Sequence, residues 1–490
     1  MILSDLLARN ARKFGDRISI ITRNVRMSYR QLDEESNRLA RKLIQLGVQK
    51  GNHVGIISRN NEQFLRLYFA VLKCGAVVLP ISVRFTAAEI SRVVEHFDLT
   101  ALFYEENFSS LIEDAASKEI IAQSIELLLE QCTTLPSNPP DIIIHEEDPC
   151  TLFLTSGTTG QPKGVLFNHK RVIPVATAIA IEFKHTPDDR VLHVMPFSHS
   201  APLQTFFLGA LFVGAVHIID DYDPKRFINW ILQEKVTTTF AAPIAYIMAA
   251  KQGISGDFSH VRYFAYGASA FPLAALERVK QAFGHDAFMH VYGLTETGPS
   301  GTCLRPEEHQ TKNGSIGRQA VVNMEVKVVN DRGEETGPGE YGEILLKGES
   351  NMLGYYNNPE ETAKVIRDGW VQTGDIAYRD KDGYIFIVDR KKDVIISGGV
   401  NIYPREIEEV LVTHPAVLEA CVVGVAHPEW GETVKAVVVA RPGQRVTEES
   451  LKEYISTRLA DYKQPRLYSF VQALPRNVNG KVLKHLAKGM

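Results

Sequence analysis

Three observations predict an α/β chain: a large N-terminal domain of doubly wound sheets carrying a β-rich subdomain, then a small α+β C-terminal domain. First, apolar strand-like runs alternate with helical segments at short intervals over roughly the first 300 residues. Such alternation builds parallel sheets with helices on both faces. Second, residues 326–348 read as short β-rich runs broken by Asp331-Arg332-Gly333 and Gly337-Pro338-Gly339. Third, the pattern shifts after Asp389 to a mixed unit of about 100 residues. A chain of 490 residues exceeds one ordinary core, so two or more domains are expected. The first spans 1–389, with the β subdomain at about 320–389, and the second spans 390–490.

Ser28-x-x-Gln31 is a capping box, and Leu32, Leu39, Leu43 and Ile44 follow on one helical face until Gly47. His53 to Ile57 reads as a strand, Phe64 to Leu72 as a helix and Ala76 to Leu79 as the next strand. Thr86-x-x-Glu89 is a second capping box, and Ala101 to Tyr104 is a strand. Thr151 to Leu154, Val191 to Val194, Val216 to Ile219, Thr237 to Ala241 and Val261 to Ala265 continue the strands. The run Phe206 to Val216 is shorter than the roughly 20 residues that span a bilayer, and reads as a buried helix. Near the C-terminus Pro404 to Val412 reads as a helix with Glu406, Glu408 and Glu409 outward. Ala420 to Val425 and Val434 to Ala440 read as strands, and Leu451 to Leu459 as a helix.

A net charge of −4 gives no electrostatic footprint for nucleic acid or an anionic membrane. Five scattered cysteines match neither a metal spacing nor a disulfide framework, as expected in a reducing cytosol. Asp5 interrupts any apolar stretch at the start, so no signal peptide is expected. These features are those expected of a cytoplasmic protein without a membrane span, as monomer or homodimer.

The most informative stretch is Thr155-Ser156-Gly157-Thr158-Thr159-Gly160-Gln161-Pro162-Lys163-Gly164, directly after an apolar strand. Three glycines, four hydroxyl residues and one lysine share ten positions. Glycines let backbone N–H groups converge on an anion, hydroxyls add donors, and Lys163 adds positive charge. That is the chemistry of a polyphosphate loop. Pro162 before Lys163 and Gly164 after it exclude a Walker A loop, and the spacing excludes the dinucleotide fingerprint.

The loop resembles the phosphate-binding loop of the adenylate-forming superfamily, which includes acyl-CoA synthetases, peptide-synthetase adenylation domains and luciferases. Further motifs resemble that family in order. His290-Val291-Tyr292-Gly293-Leu294-Thr295-Glu296-Thr297 resembles its Y-G-x-T-E segment. There Tyr292 offers a stacking face, Thr295 a donor to the α-phosphate, and Glu296 a hard oxygen ligand for Mg²⁺. Tyr266-Gly267-Ala268-Ser269-Ala270 is by resemblance the other wall of the adenine site. Thr373-Gly374-Asp375 places a carboxylate that by resemblance holds the ribose. In Asp389-Arg390-Lys391-Lys392 the resemblance puts Arg390 on ribose and phosphate and Lys392 at an interdomain hinge, which implies that the small C-terminal domain is mobile. Gly398 and Gly399 fall in the thiol channel it implies, where Val400 departs from the family's frequent Glu. Leu474 to Lys481 resembles the C-terminal motif whose last lysine, Lys481, serves adenylation. Pro196-Phe197-Ser198-His199 resembles a segment whose last residue gates the acyl site; a core histidine is the competing reading, and Pro202 departs from the family's glycine.

The nucleotide set so implied is Thr155, Ser156, Gly157, Thr158, Thr159, Gly160, Lys163, Gly267, Ala268, Ser269, His290, Val291, Tyr292, Gly293, Thr295, Glu296, Asp375, Arg390 and Lys481. Of these Thr155, Lys163, Glu296 and Lys481, with His199, are the catalytic candidates. Acyl-pocket walls are His199, Pro243, Tyr266, Gly267, Val291 and Gly298; none carries a fixed positive charge, which disfavours a dicarboxylate. The resemblance implies an acid–CoA ligase using ATP, Mg²⁺ and coenzyme A on a fatty or aryl acid. A standalone enzyme loading a carrier protein shares its first step, and a non-catalytic nucleotide-binding protein is the alternative of another class. No carrier domain is expected in this chain, which ends nine residues after Lys481.

Overall fold

The computed structural model describes residues 1–113, 120–155, 162–269, 271–476 and 482–490. Ser156, Gly157, Thr158, Thr159, Gly160 and Lys481 therefore lie outside the described residues. The chain packs as two compact units. Unit 1 is Met1–Val326 with Leu345–Gln372, and unit 2 is Lys327–Ile344 with Thr373–Met490. The division falls inside two strands, Tyr341–Gly348 and Trp370–Arg379. Packing thus groups residues 327–344 and 373–389 with the C-terminal residues.

Unit 1 is α/β, built on two sheets. The first has eight strands in the order Gly301–Leu304, Phe288–Gly293, Tyr263–Tyr266, Thr238–Ala241, Arg190–His193, Val216–Ile219, Ile18–Ile21, Arg26–Ser28. Its six inner strands pair in parallel, and the two edges are antiparallel. The second has seven strands: Gly354–Tyr355, Lys163–Asn168, Pro149–Thr155, Val77–Ile81, His53–Ile57, Leu99–Tyr104, Ile121–Ser124. Strand interiors such as Val77–Ile81 and Val216–Ile219 are buried on both faces, as parallel strands under helices must be. One apolar cluster joins Val54, Phe103 and Phe153 of the second sheet to Leu32, Phe64 and Leu208 of helices and to Ile219 of the first. A helical layer therefore lies between the sheets, and separate clusters cover their outer faces.

The capping boxes form as expected. Ser28 Oγ accepts from Gln31 N, and the Gln31 side chain accepts from Ser28 N, starting the helix Tyr29–Gln45. Thr86 and Glu89 do the same for Ala87–His96. Leu32, Leu39 and Leu43 are buried, but Ile44, one position further round the helix, is exposed. The run Phe206 to Val216 is not one helix. Ala201–Phe207 is a π-helix, Leu208–Val213 is α-helical, and Gly214 ends it at φ +85°. A side chain at Gly214 would meet the Phe14 ring at 2.5 Å.

Unit 2 carries a five-stranded sheet made of Val400–Ile402, Ile395–Ser397, Gly431–Ala440, Val417–His427 and Leu467–Val471. The helix Pro404–Val412 packs Ile407 and Leu411 against it. Glu408 does not face outward with its neighbours. Its Oε1 accepts from Val422 N at 2.7 Å and pairs with Lys484 Nζ at 3.0 Å. The helix turns Glu408 inward because its position shares the face of Leu411 more than that of Glu409.

Unit 1 buries neutral imidazoles. His193 and His217 sit on neighbouring strands, with Nε2 of one 3.1 Å from Nδ1 of the other. Burial holds His193 down at about 3 and His217 well below the usual imidazole range. Protonation therefore favours the unfolded chain, so this stability is present above about pH 6.5 and is lost as pH falls. The urea midpoint should fall between about pH 6.5 and 4. His193→Gln should reduce that slope by up to about 1.4 kcal/mol per pH unit. An unchanged slope would mean that His193 titrates alike in both states.

Candidate active site

The hairpin of unit 1 fixes the ends of the glycine loop. Pro149–Thr155 and Lys163–Asn168 are antiparallel neighbours, and Thr155 and Lys163 are register partners. Thr155 Oγ1 donates to Lys163 O at 3.4 Å. Thr155 and Lys163, the described ends of this stretch, thus lie side by side.

Lys163 Nζ lies 2.6 Å from Glu361 Oε2 and 4.9 Å from the centre of the Tyr355 ring. Tyr355 OH donates to Glu296 Oε1 at 2.8 Å. Burial and the Glu296 charge push the Tyr355 phenol above its ordinary range, so it stays a donor. Hydrogen bonds from Lys163 and Lys364 hold the Glu361 carboxyl down at about 2. Lys163 and Glu296, distant in sequence, are thereby bridged through one tyrosine.

The segment after the strand Phe288–Gly293 is a short 3₁₀ turn, Thr295–Thr297, closed by Gly298 at φ +63°. A Cβ at Gly298 would lie 2.6 Å from Ser350 O. Met352 N donates to Glu296 O at 2.9 Å, and Ser350 Oγ to Thr297 O at 2.9 Å, so this turn is pinned from residues 350–352. Thr295 Oγ1 lies 2.9 Å from Ser200 Oγ, the residue after His199. His199 is partly buried, and burial with the Arg84 charge lowers its pKa, which favours the neutral ring. Its loop is held by Asn60, whose Oδ1 accepts from Phe197 N at 2.9 Å and whose Nδ2 donates to Met195 O at 2.7 Å. Lys163, Glu296, Thr295 and the His199 loop are thus linked within unit 1.

Gly267 and Val291 lie on neighbouring strand ends, where a Cβ at Gly267 would come 2.6 Å from Val291 O. Ala268 takes φ +64°, and Ala268 and Ser269 are exposed. Tyr266 and Val291 point to opposite faces of their sheet. Tyr266 is buried against Phe271 and stacks on His290 at 4.6 Å, while Val291 packs with Phe206 and Phe240. His290 Nδ1 is 3.0 Å from Ser315 O. Tyr292 is half-buried and Gly293 exposed, and Pro243 is buried as the first residue of Pro243–Ala250.

Unit 2 holds the remaining described candidates. Asp375 is buried within the strand Trp370–Arg379, just after Gly374 at φ +69°. Its Oδ1 pairs with Arg390 Nε at 2.6 Å, and the two are cross-strand partners. Lys392 is exposed in the turn Lys391–Asp393, and Gly398 and Gly399 are exposed between the short strands Ile395–Ser397 and Val400–Ile402.

Sequence reading did not single out Asn60, Ser200, Tyr355 or Glu361. Asn358-Pro359-Glu360-Glu361 carries a readable helix-start signal, a capping Asn before Pro and two acidic residues. Asn358 does cap Pro359–Val365, accepting from Glu361 N at 3.1 Å. Among the described residues no three His, Cys, Asp or Glu side chains gather as a metal cage. Among the described residues Glu296 and Glu361 offer carboxylates near the loop ends, and Glu361 is already paired with Lys163. That donor set fits Mg²⁺, which keeps waters and takes phosphate oxygens plus one or two carboxylates.

Known proteins resemble nearly the whole chain. A fatty acid–[acyl-carrier-protein] ligase, ScoC of Streptomyces coeruleorubidus, is 34% identical, covering 94% of this chain and 90% of that protein. A feruloyl-CoA synthase of Amycolatopsis sp is 34% identical, covering 94% and 92%. The crystal structure of ATP-bound MatB from Rhodopseudomonas palustris superposes with a TM-score of 0.91 at 27% identity, covering 100% and 99%. The sequence model described as AMP-binding enzyme matches residues 7–356, and that of the AMP-binding enzyme C-terminal domain matches residues 406–481. The chain therefore belongs to the AMP-binding, adenylate-forming enzyme family.

Proposed function

We propose that the protein is an ATP-dependent acid–CoA ligase acting on a fatty or aryl carboxylic acid. The observation that carries this reading is the linkage of Lys163, Glu296 and Thr295 around the ends of a glycine- and hydroxyl-rich loop. In the first step a carboxylate oxygen attacks the α-phosphorus of ATP. The bond to pyrophosphate breaks and acyl-AMP forms. In the second step a thiol sulfur attacks the acyl carbonyl, AMP leaves, and the thiol proton passes to solvent.

The first step brings two anions together, so positioned positive charge and donors must supply most of the catalysis. In this reading Lys163 and the loop from Thr155 to Gly160 meet the β- and γ-phosphates. Thr295 donates to the α-phosphate, held in place by Ser200. Glu296 would hold Mg²⁺, whose chemistry when bound is to neutralise phosphate charge. Asp375, set by Arg390, accepts the ribose hydroxyls, and Lys481 adds charge during adenylation. Gly267, where a Cβ would strike Val291 O, forms with Ala268 and Ser269 the proposed wall for the adenine base. The acid lies toward His199, Val291 and Gly298, with no fixed cation among them. Ferulic acid and fatty acids, named for the relatives above, both suit such a wall.

A pyrophosphate-release screen over fatty, aryl and dicarboxylic acids tests the class, with CoA and a phosphopantetheinyl carrier protein compared as acceptors. Release with fatty or aryl acids and thioester formation on CoA supports the reading. Transfer only to the carrier protein, as the ScoC name suggests for that relative, would replace CoA in it. No acid-dependent release would leave a nucleotide-binding protein without this activity.

Two substitutions separate the proposed roles. Lys481→Ala should slow acid-dependent ATP–pyrophosphate exchange by about 10²–10³-fold, or roughly 3–4 kcal/mol. Thioester formation from supplied acyl-AMP should change far less, and equal loss in both assays would contradict the role. Asp375→Ala should weaken ATP binding by about tens-fold, since a charge-assisted hydrogen bond is worth about 1.5–3 kcal/mol. Unchanged ATP affinity by calorimetry would remove Asp375 from the nucleotide site.

A further inference from the structure

The loop lysine already has an anionic partner supplied by the chain. Lys163 Nζ lies 2.6 Å from Glu361 Oε2, so a carboxylate holds the ammonium that the loop reading gives to phosphate. Three local features fix that partner. The strand Gly354–Tyr355 pairs antiparallel with Lys163–Asn168, Tyr355 opposite Val165. Thr362 Oγ1 accepts from Tyr355 N at 2.9 Å, tying this strand to the helix Pro359–Val365. Asn358 caps that helix, which sets Glu361 in its first turn. The Tyr355 ring then fills the space beneath Lys163 at 4.9 Å.

The pair is only part-shielded: the side chains keep 21% and 31% of their exposure. Its strength is therefore modest, and a multiply charged phosphate can break it. We propose that Glu361 is a built-in counter-ion that occupies Lys163 in the empty site, yields it to the polyphosphate, and reclaims it as pyrophosphate leaves. Glu361 acts through Lys163 and is a positioning residue, not a catalytic one. An internal competitor lowers apparent anion affinity by the fraction of time that it holds the lysine. Its benefit falls on product release, because pyrophosphate carries the same charges that made ATP bind. The proposal rests on the reading of Lys163 as a phosphate-binding residue.

The test is calorimetric binding of magnesium pyrophosphate to the full-length protein without acid or CoA. Glu361→Gln keeps the size of the side chain and removes its charge. It should tighten pyrophosphate binding about three- to tenfold, and Glu361→Ala should do the same. In a Lys163→Gln background the gain should vanish. Glu361 also pairs with Lys364 at 2.6 Å, so a gain that persists without Lys163 would come from Lys364 and overturn the proposal. Wild-type affinity in both Glu361 variants, with weaker binding in Lys163→Gln, would overturn the counter-ion while leaving the loop reading intact. Unaltered binding in Lys163→Gln would overturn the loop reading and the counter-ion with it.

Discussion

The pairing of Thr155 with Lys163 across two antiparallel strands decides where the proposed polyphosphate site must lie. A strand pair has a fixed register, and a shift of one residue would turn Lys163 to the other face of the sheet. The register is held by burial on both sides. Leu152, Phe153, Val165 and Phe167 all sit in apolar clusters, so slippage would expose them. Gly164 is part of that constraint, since a Cβ there would come 2.5 Å from the Phe97 ring. The charge at the loop is thus placed by the packing beneath it.

Around that fixed point the polar groups are joined rather than scattered. Residues 350–362 touch both halves of the arrangement. Ser350 and Met352 pin the turn that carries Glu296, while Tyr355 and Glu361 reach Lys163. A site that must join a carboxylate to a triphosphate needs its donors in place before the anions arrive, because reorganising them during the reaction would add to the barrier. The segment 350–362 supplies that order with few residues. Ser200 does the same for Thr295, and Asn60 for the His199 loop.

Much of this was legible from the residues. Strand–helix alternation, the two capping boxes and the shift to β-rich turns after residue 326 follow from local chemistry, and the structure has the matching elements. The π-helical turn Ala201–Phe207 was not legible, because the apolar run that reads as a helix begins only at Phe206. Glu408 was misread as outward, since acidity suggested solvent while Val422 N and Lys484 offered buried partners that only the tertiary fold brings near. The glycine-rich loop proposed to bind phosphate stands out in the sequence through its glycines and hydroxyls. Tyr355 and Glu361 were not, because a tyrosine and an acidic helix start are common and gain meaning only beside Lys163. Tyr266 and Val291 looked like neighbours on one wall, yet strand alternation sends them to opposite faces.

In the proposed first step the acid attacks the α-phosphorus of ATP. Oxygen-isotope transfer tests it most directly. The acid is supplied with ¹⁸O in both carboxylate positions, and AMP and pyrophosphate are examined by mass spectrometry after turnover with CoA. Attack at the α-phosphorus leaves one labelled oxygen on AMP and none on pyrophosphate. Label in pyrophosphate or free phosphate, with unlabelled AMP or ADP, would place the attack elsewhere on the chain of phosphates and contradict the account.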